Sequence, residues 1–227
     1  MSTASPLPEP RSHTGCPTCS TARCCVVFDP ELTGHDVLRL LALGLDTRDF
    51  AVLRPTRIDQ AGADGLLDED GCAWDLRLAR TGTQGLQPVS VDPRDDSRRC
   101  GFLVTLGGAS RCGVYAHRPM ACRTFPSART SFGIIVATPE AICPPGAFAQ
   151  ERADLPALFA LHRIAEHERE AFRVFVAHWN GQPHPLRNLD RLLAALLRYS
   201  RAVDFTTRSS WPGLAASALI DSEPETR

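Results

Sequence analysis

Lysine is absent: all 25 basic residues of the chain are arginine. The absence excludes chemistry, because without lysine there is no Schiff-base catalyst, no phosphate-binding loop ending in Gly-Lys-Ser/Thr and no kinase of the ordinary type. A GC-rich coding bias, which also raises Ala, Pro and Gly, is the simplest cause. Long apolar runs are missing too. The longest, such as Leu38 to Leu45 and the Ala/Leu-rich stretch near the C-terminus, fall well short of the roughly 18 residues that cross a bilayer. The opening MSTASPLPEPRSHTG is polar and proline-rich and lacks the apolar segment of a secretory signal. Net charge is nearly absent as well, −1 from 25 basic and 26 acidic residues, so no overall field draws the chain toward phosphate backbones or anionic membranes. These absences predict a cytoplasmic protein with no membrane association, and they disfavour nucleic acid as a partner. No Gly-x-Ser-x-Gly, Gly-x-Gly-x-x-Gly or nucleophile–histidine pairing is legible.

What the chain does have is cysteine, nine in 227 residues. That is below the roughly 8–10% of a small disulfide scaffold. In a reducing compartment, clustered thiols more often hold metal or do redox chemistry than form disulfides. The first block is Cys16-Pro-Thr-Cys19-Ser-Thr-Ala-Arg-Cys24-Cys25. Its gaps of two and four residues fall in the range used by tetrahedral zinc sites, where a turn brings two thiolates within about 4 Å of each other. The second block runs from Cys100-Gly-Phe-Leu through Arg111-Cys112-Gly-Val-Tyr115-Ala-His-Arg118-Pro119-Met-Ala-Cys122-Arg123-Thr-Phe125-Pro126 to Cys143-Pro144. The second Cys-x2-Cys of a zinc ribbon is missing, ferredoxin spacing is missing, and no strand precedes Cys16 as a thioredoxin-type motif requires. Cys72 matches neither block; it sits in a turn entering a strand, where a small half-buried side chain suffices.

These blocks resemble the YkgJ family of cysteine-cluster proteins, also described as zinc- or iron-chelating domains. The resemblance covers about residues 16 to 145, and its most specific part is the Arg-Pro-x-x-Cys-Arg-x-Phe-Pro string at Arg118 to Pro126. It implies a metal-binding cytoplasmic protein, often described as carrying an iron–sulfur cluster; some relatives with a similar cysteine pattern are flagellin lysine methylases. Four residues separate Cys19 from Cys24 where the commoner form of the motif has two. Cys16, Cys19, Cys24, Cys25, Cys100, Cys112, Cys122 and Cys143 are then the candidate ligands, enough for two four-cysteine sites or one polynuclear site. Their charge calls for compensation, for which Arg118 and Arg123, on either side of Cys122, are the candidates. The vicinal pair Cys24-Cys25 reaches one metal only if the backbone turns sharply there, since adjacent side chains of an extended chain point to opposite faces.

The expected fold is α+β, a small irregular domain organised by metal–thiolate ligation with helices packed over it. Residues 1–15 read as a flexible lead-in, 16–150 as the cysteine-cluster domain, 151–220 as a helical extension without cysteine, and 221–227 as a flexible tail. Val26 to Phe28 reads as a short strand, Thr33 as the N-cap of a helix over Val37 to Leu43, and Trp74 to Leu78 as a half-buried strand. Gly82 to Arg99 reads as a surface loop, and Gly133 to Thr138 as a strand. Leu155 to Trp179 and Leu189 to Val203 read as two helices forming a hairpin or lid, with His162 and Glu166 on a solvated, charged face. Three functions fit this pattern. The first is a protein that holds an iron–sulfur cluster or zinc, structural or redox; the second, a metal-dependent methyl- or group-transfer enzyme; the third, a zinc-stabilised module for a protein partner whose identity is not readable.

Overall fold

The computed structural model describes residues 24–56, 65–80, 99–106, 109–131, 135–137, 154–182 and 189–203. The loop expected over Gly82 to Arg99 lies outside them except for its last residue, and the N-terminal lead-in and C-terminal tail lie outside altogether. The fold is α+β: helices pack with small antiparallel sheets. No helix among the described residues is long and apolar enough to cross a membrane.

The first element differs from the expected strand. Cys24–Val27 forms a single helical turn, α1, closed by the Phe28 N–H donating to Cys24 O at 2.8 Å. A strand needs a ladder, and among the described residues the bond that Cys25 O accepts from Cys100 N–H at 2.8 Å is a single link, so the local helical bond decides. Helix α2 spans Gly34–Leu41 and starts with a reciprocal capping box: Thr33 Oγ1 accepts from Asp36 N–H at 3.2 Å, and Asp36 Oδ2 accepts from Thr33 N–H at 2.9 Å. The chain turns away at Gly44, whose φ of +78° suits glycine. Helix α3, Thr47–Phe50, leads into β1, Ala51–Thr56.

Strands β1, β2 (Leu66–Leu67) and β3 (Ala73–Leu78) form an antiparallel sheet in the order β1-β3-β2. Pro55 is tolerated because β1 is an edge strand. Leu53 pairs with Leu76 and Arg54 with Asp75. A hairpin follows, β4 (Leu103–Leu106) on β5 (Ala109–Cys112), then a 3-10 turn at Tyr115–His117 and the five-residue helix α4, Met120–Thr124. The last pair is β6 (Ser127–Arg129) with β7 (Ile135–Ala137), inside the segment expected to be extended.

Helix α5 runs over Leu155–Asn180, with Asp154 accepting from Ala157 N–H at 3.0 Å as its N-cap and Pro156 in its first turn. Helix α6 covers Leu189–Ala202. One apolar core joins these helices to the earlier part of the chain. Val37 and Leu40 of α2, Leu53 and Leu76 of the sheet, Phe175 of α5 and Leu196 of α6 are all buried in it. Phe175 is its aromatic centre, with ring centroids 5.8 Å from both Trp179 and Tyr199. Helix α6 crosses α2 closely enough that a Cβ on Gly34 would fall 1.9 Å from Ser200 Oγ, so any side chain there would displace Ser200. At the far end of α5, Asn180 ties β2 in place, accepting from Leu67 N–H at 2.8 Å and donating to Gly65 O at 2.9 Å.

Candidate metal centre

Cys24 and Cys25 sit in α1, Cys100 in the turn before β4, Cys112 at the end of β5 and Cys122 in α4. Each placement has a local cause. The hairpin register sets Leu103 opposite Cys112, and Leu103 N–H donates to Cys100 O at 2.9 Å, so the open end of the hairpin carries both cysteines. The Cys100 N–H bond to Cys25 O then ties that end to α1. Phe28 and Phe125 pack their rings in a tilted arrangement with centroids 5.4 Å apart, and each stands three residues after its cysteine, so the pair packs α1 toward α4. The stretch behind α1 is held by arginines of the sheet: Arg54 donates to Asp29 Oδ2 at 2.6 Å and Arg77 to Asp29 O at 2.7 Å.

The five thiols lie close enough to perturb one another. The Cys25 thiol bonds to Cys24 and lowers it to about 7. The same bond, then burial and the fields of Cys24, Cys100 and Cys112, push Cys25 upward. Burial raises Cys100 to about 11, and it raises Cys112 as well. Cys122, the deepest, is pushed well above an ordinary thiol by burial, with Cys100 and Cys112 adding to it. Against this stand two cations: Arg118 favours the thiolates of Cys24, Cys112 and Cys122, and Arg80 favours that of Cys100. Arg118 is pre-ordered, its guanidinium carbon 3.8 Å from the Tyr115 ring centroid and its Nε donating to Tyr115 O at 3.1 Å. Arg123 exerts its field on Glu168 of α5.

No three His, Cys, Asp or Glu side chains among the described residues are already gathered into an ion cage. Cys16, Cys19 and Cys143 lie outside the described residues. None of the six described cysteines is in a disulfide. The donor set nevertheless suits a soft metal. Several sulfurs share a desolvated neighbourhood in which burial keeps them protonated, and a bound cation reverses that preference by replacing the protons.

Two expectations change. His162 is buried rather than solvated: its Nε2 lies 2.9 Å from Ser127 Oγ, while Glu166 pairs with Arg129 at 2.6 Å, so the two engage β6 and not a common ion. Cys72 is exposed rather than half-buried, because the Asp68 turn that fixes its backbone points the side chain outward. Sequence reasoning also missed Arg80 and Asp36. Arg80 follows a strand with no cysteine nearby in sequence. Asp36 announces itself only as a helix cap, although its field reaches Cys122 from 86 residues away.

The chain matches the family model described as "CxxCxxCC: Putative zinc- or iron-chelating domain" over residues 15–144, more than half its length and all eight clustered cysteines. No curated protein and no solved structure matches it. The chain therefore belongs to the CxxCxxCC family of zinc- or iron-chelating domains.

Proposed function

We propose that this protein binds its metal in the cytoplasm through the thiolates of Cys16, Cys19, Cys24, Cys25, Cys100, Cys112, Cys122 and Cys143, as an iron–sulfur cluster or as zinc. The observation that carries this reading is the mutual electrostatic contact of five cysteines drawn from α1, the β4–β5 hairpin and α4. Burial penalises a thiolate that no cation compensates, so a fold that gathers buried thiols gains most when a soft cation takes them as thiolates. Zinc would cross-link the segments, and an iron–sulfur cluster would add a redox couple. The protein's own contribution is to exclude water around Cys122 and to place Arg118 and Arg80 where thiolate charge develops, whereas the field of Arg123 falls on Glu168.

Anaerobic purification followed by metal and acid-labile sulfide analysis tests this. A brown protein with iron and sulfide supports the cluster, and a colourless protein with stoichiometric zinc supports the structural site. A folded, reduced protein that binds neither overturns the proposal.

A further inference from the structure

Helix α4, which carries Cys122, has five residues, too few to hold its own direction in water. Its orientation is therefore set by what grips its ends. At the N-terminal end the Met120 N–H donates to Asp36 Oδ1 at 2.6 Å, in a buried contact. Asp36 is itself fixed from several sides: Oδ2 accepts from Thr33 N–H and from Thr33 Oγ1 at 3.0 Å, and Oδ1 also takes the Arg39 guanidinium. Arg39 in turn is forked onto Glu168 of α5 at 2.5 and 2.7 Å. At the C-terminal end Ser127 Oγ donates to the α4 carbonyl of Thr124 at 2.6 Å. With that hydrogen committed, Ser127 Oγ accepts from His162 Nε2–H, again from α5.

We propose that Asp36 and His162 are positioning residues for Cys122, a clamp through which α2 and α5 fix the short cysteine helix at both ends. The proposal rests on Cys122 being a ligand. It explains an otherwise adverse placement. A carboxylate within electrostatic range of Cys122 has the wrong sign to promote a thiolate there, so the hydrogen bond to Met120, and not the charge, is what Asp36 supplies. Metal–ligand distances tolerate only about 0.2 Å, so a loosened α4 is felt at the site even when the fold survives. The clamp also gives α5 a role in the site although it contributes no cysteine.

The test compares four variants with a packing control. Asp36→Asn keeps an acceptor for Met120 N–H, and His162→Gln keeps a donor for Ser127 Oγ, whereas Asp36→Ala and His162→Leu keep neither. Leu196→Ala damages the α2–α6 core away from α4. Two rates are read on the full-length reduced protein as purified: iodoacetamide alkylation of Cys122 relative to exposed Cys72, resolved by peptide mass spectrometry, and metal release to a chromogenic chelator. Asp36→Ala and His162→Leu should each raise both rates by at least about tenfold, the factor that goes with one lost buried hydrogen bond, and Asp36→Ala, which also takes the acceptor from Thr33 and Arg39, should give the larger rise. Asp36→Asn and His162→Gln should stay within about threefold of the parent. Leu196→Ala should lower the melting temperature while leaving the Cys122 to Cys72 ratio alone. If Asp36→Ala does not fold, Ser127→Ala, which deletes a single oxygen of the second clamp, decides, and an unchanged ratio there overturns the proposal. Equal acceleration in Leu196→Ala at equal loss of melting temperature, or no rescue by the Asn and Gln variants, overturns it as well. A parent protein without metal would defeat the reading of Cys122 as a ligand, and the alkylation ratios would still judge the clamp.

Discussion

The two ends of α5 belong to different kinds of structure. Around Phe175 and Trp179 the helix lies in an aromatic and aliphatic core shared with α2, the three-stranded sheet and α6. Each large side chain buried there contributes about 1.5–3 kcal/mol whatever is bound elsewhere. Around His162 and Glu168 the same helix meets α4, the β6–β7 pair and Arg39 of α2. There the buried groups include the charges of Asp36 and Glu168, whose desolvation opposes folding unless partners offset it, while burial holds Cys100, Cys112 and Cys122 as neutral thiols until a metal takes them. The first region stabilises itself, whereas the second is assembled for binding and leans on the first. Metal should therefore matter chiefly to the second, and experiment can separate the two.

Metal removal is expected to have the largest effect. Ligation of structural zinc in small peptides is worth roughly 10–16 kcal/mol, and ligands spread along the chain turn that energy into folding energy. Chelation under reducing conditions should lower the melting temperature by many degrees. Hydrogen exchange should then accelerate in α1, the β4–β5 hairpin and α4 while the middle of α5 and α6 stays protected. Uniform loss of protection would erase the distinction between the regions.

The reverse experiment removes packing and leaves the thiols alone. Phe175 has no exposed surface, and Phe175→Ala should cost about 3–5 kcal/mol, read from urea unfolding. Metal per folded molecule should stay at the parent value. Metal loss in proportion to the lost stability would show that the thiol region has no independence.

Much of the self-supporting region was legible, and the reason is periodicity. Alternation marked Trp74 to Leu78, recurrent apolar positions marked α5 and α6, and Thr33 as an N-cap marked the start of α2. The binding region was legible in composition and not in shape. Spacing put the cysteines together, but Val26 to Phe28 read as a strand because β-branched residues say nothing about whether a ladder partner is present. His162 read as solvated because a helix pattern shows which residues share a face, not what the neighbouring chain presents to it. Ser127 and Asp36 become partners of α5 and α4 through contacts 35 and 84 residues apart, beyond any local signal.

Acid probes the packed region through His35. His35 of α2 is held down to about 4 by burial first and by Arg39 second, against an ordinary value of 6.5. Above pH 6.5 the imidazole is neutral in both states and its burial carries no proton cost. As pH falls from 6.5 toward 4 the unfolded chain takes up a proton that the folded chain refuses, so stability falls, by about 3 kcal/mol across the full window. Urea unfolding at pH 7 and pH 4.5 should show the parent losing more stability than His35→Gln, whose amide stays neutral throughout. Parallel losses in the two proteins would assign the acid sensitivity to other groups.

The smallest expected effect is at Cys72, the cysteine that belongs to neither region. Its side chain is exposed, and its only role in the turn is through its backbone, whose N–H donates to Asp68 Oδ1 at 2.8 Å beside the Trp74 indole bond to Asp68 Oδ2 at 2.8 Å. Gly71, with φ of +76°, carries the bend, so the turn does not depend on the atom beyond Cβ at position 72. Cys72→Ser should change stability by no more than about 0.5 kcal/mol, as surface substitutions usually do, and should keep its full metal content. Cys122→Ser replaces a buried sulfur by a harder donor in the thiol region and should lose metal or fail to fold. Measuring metal per protein in the two variants together fixes the boundary of the site. Equal loss in both would bring Cys72 into the ligand set, and the turn at Asp68 would then have to move toward the thiols when metal binds.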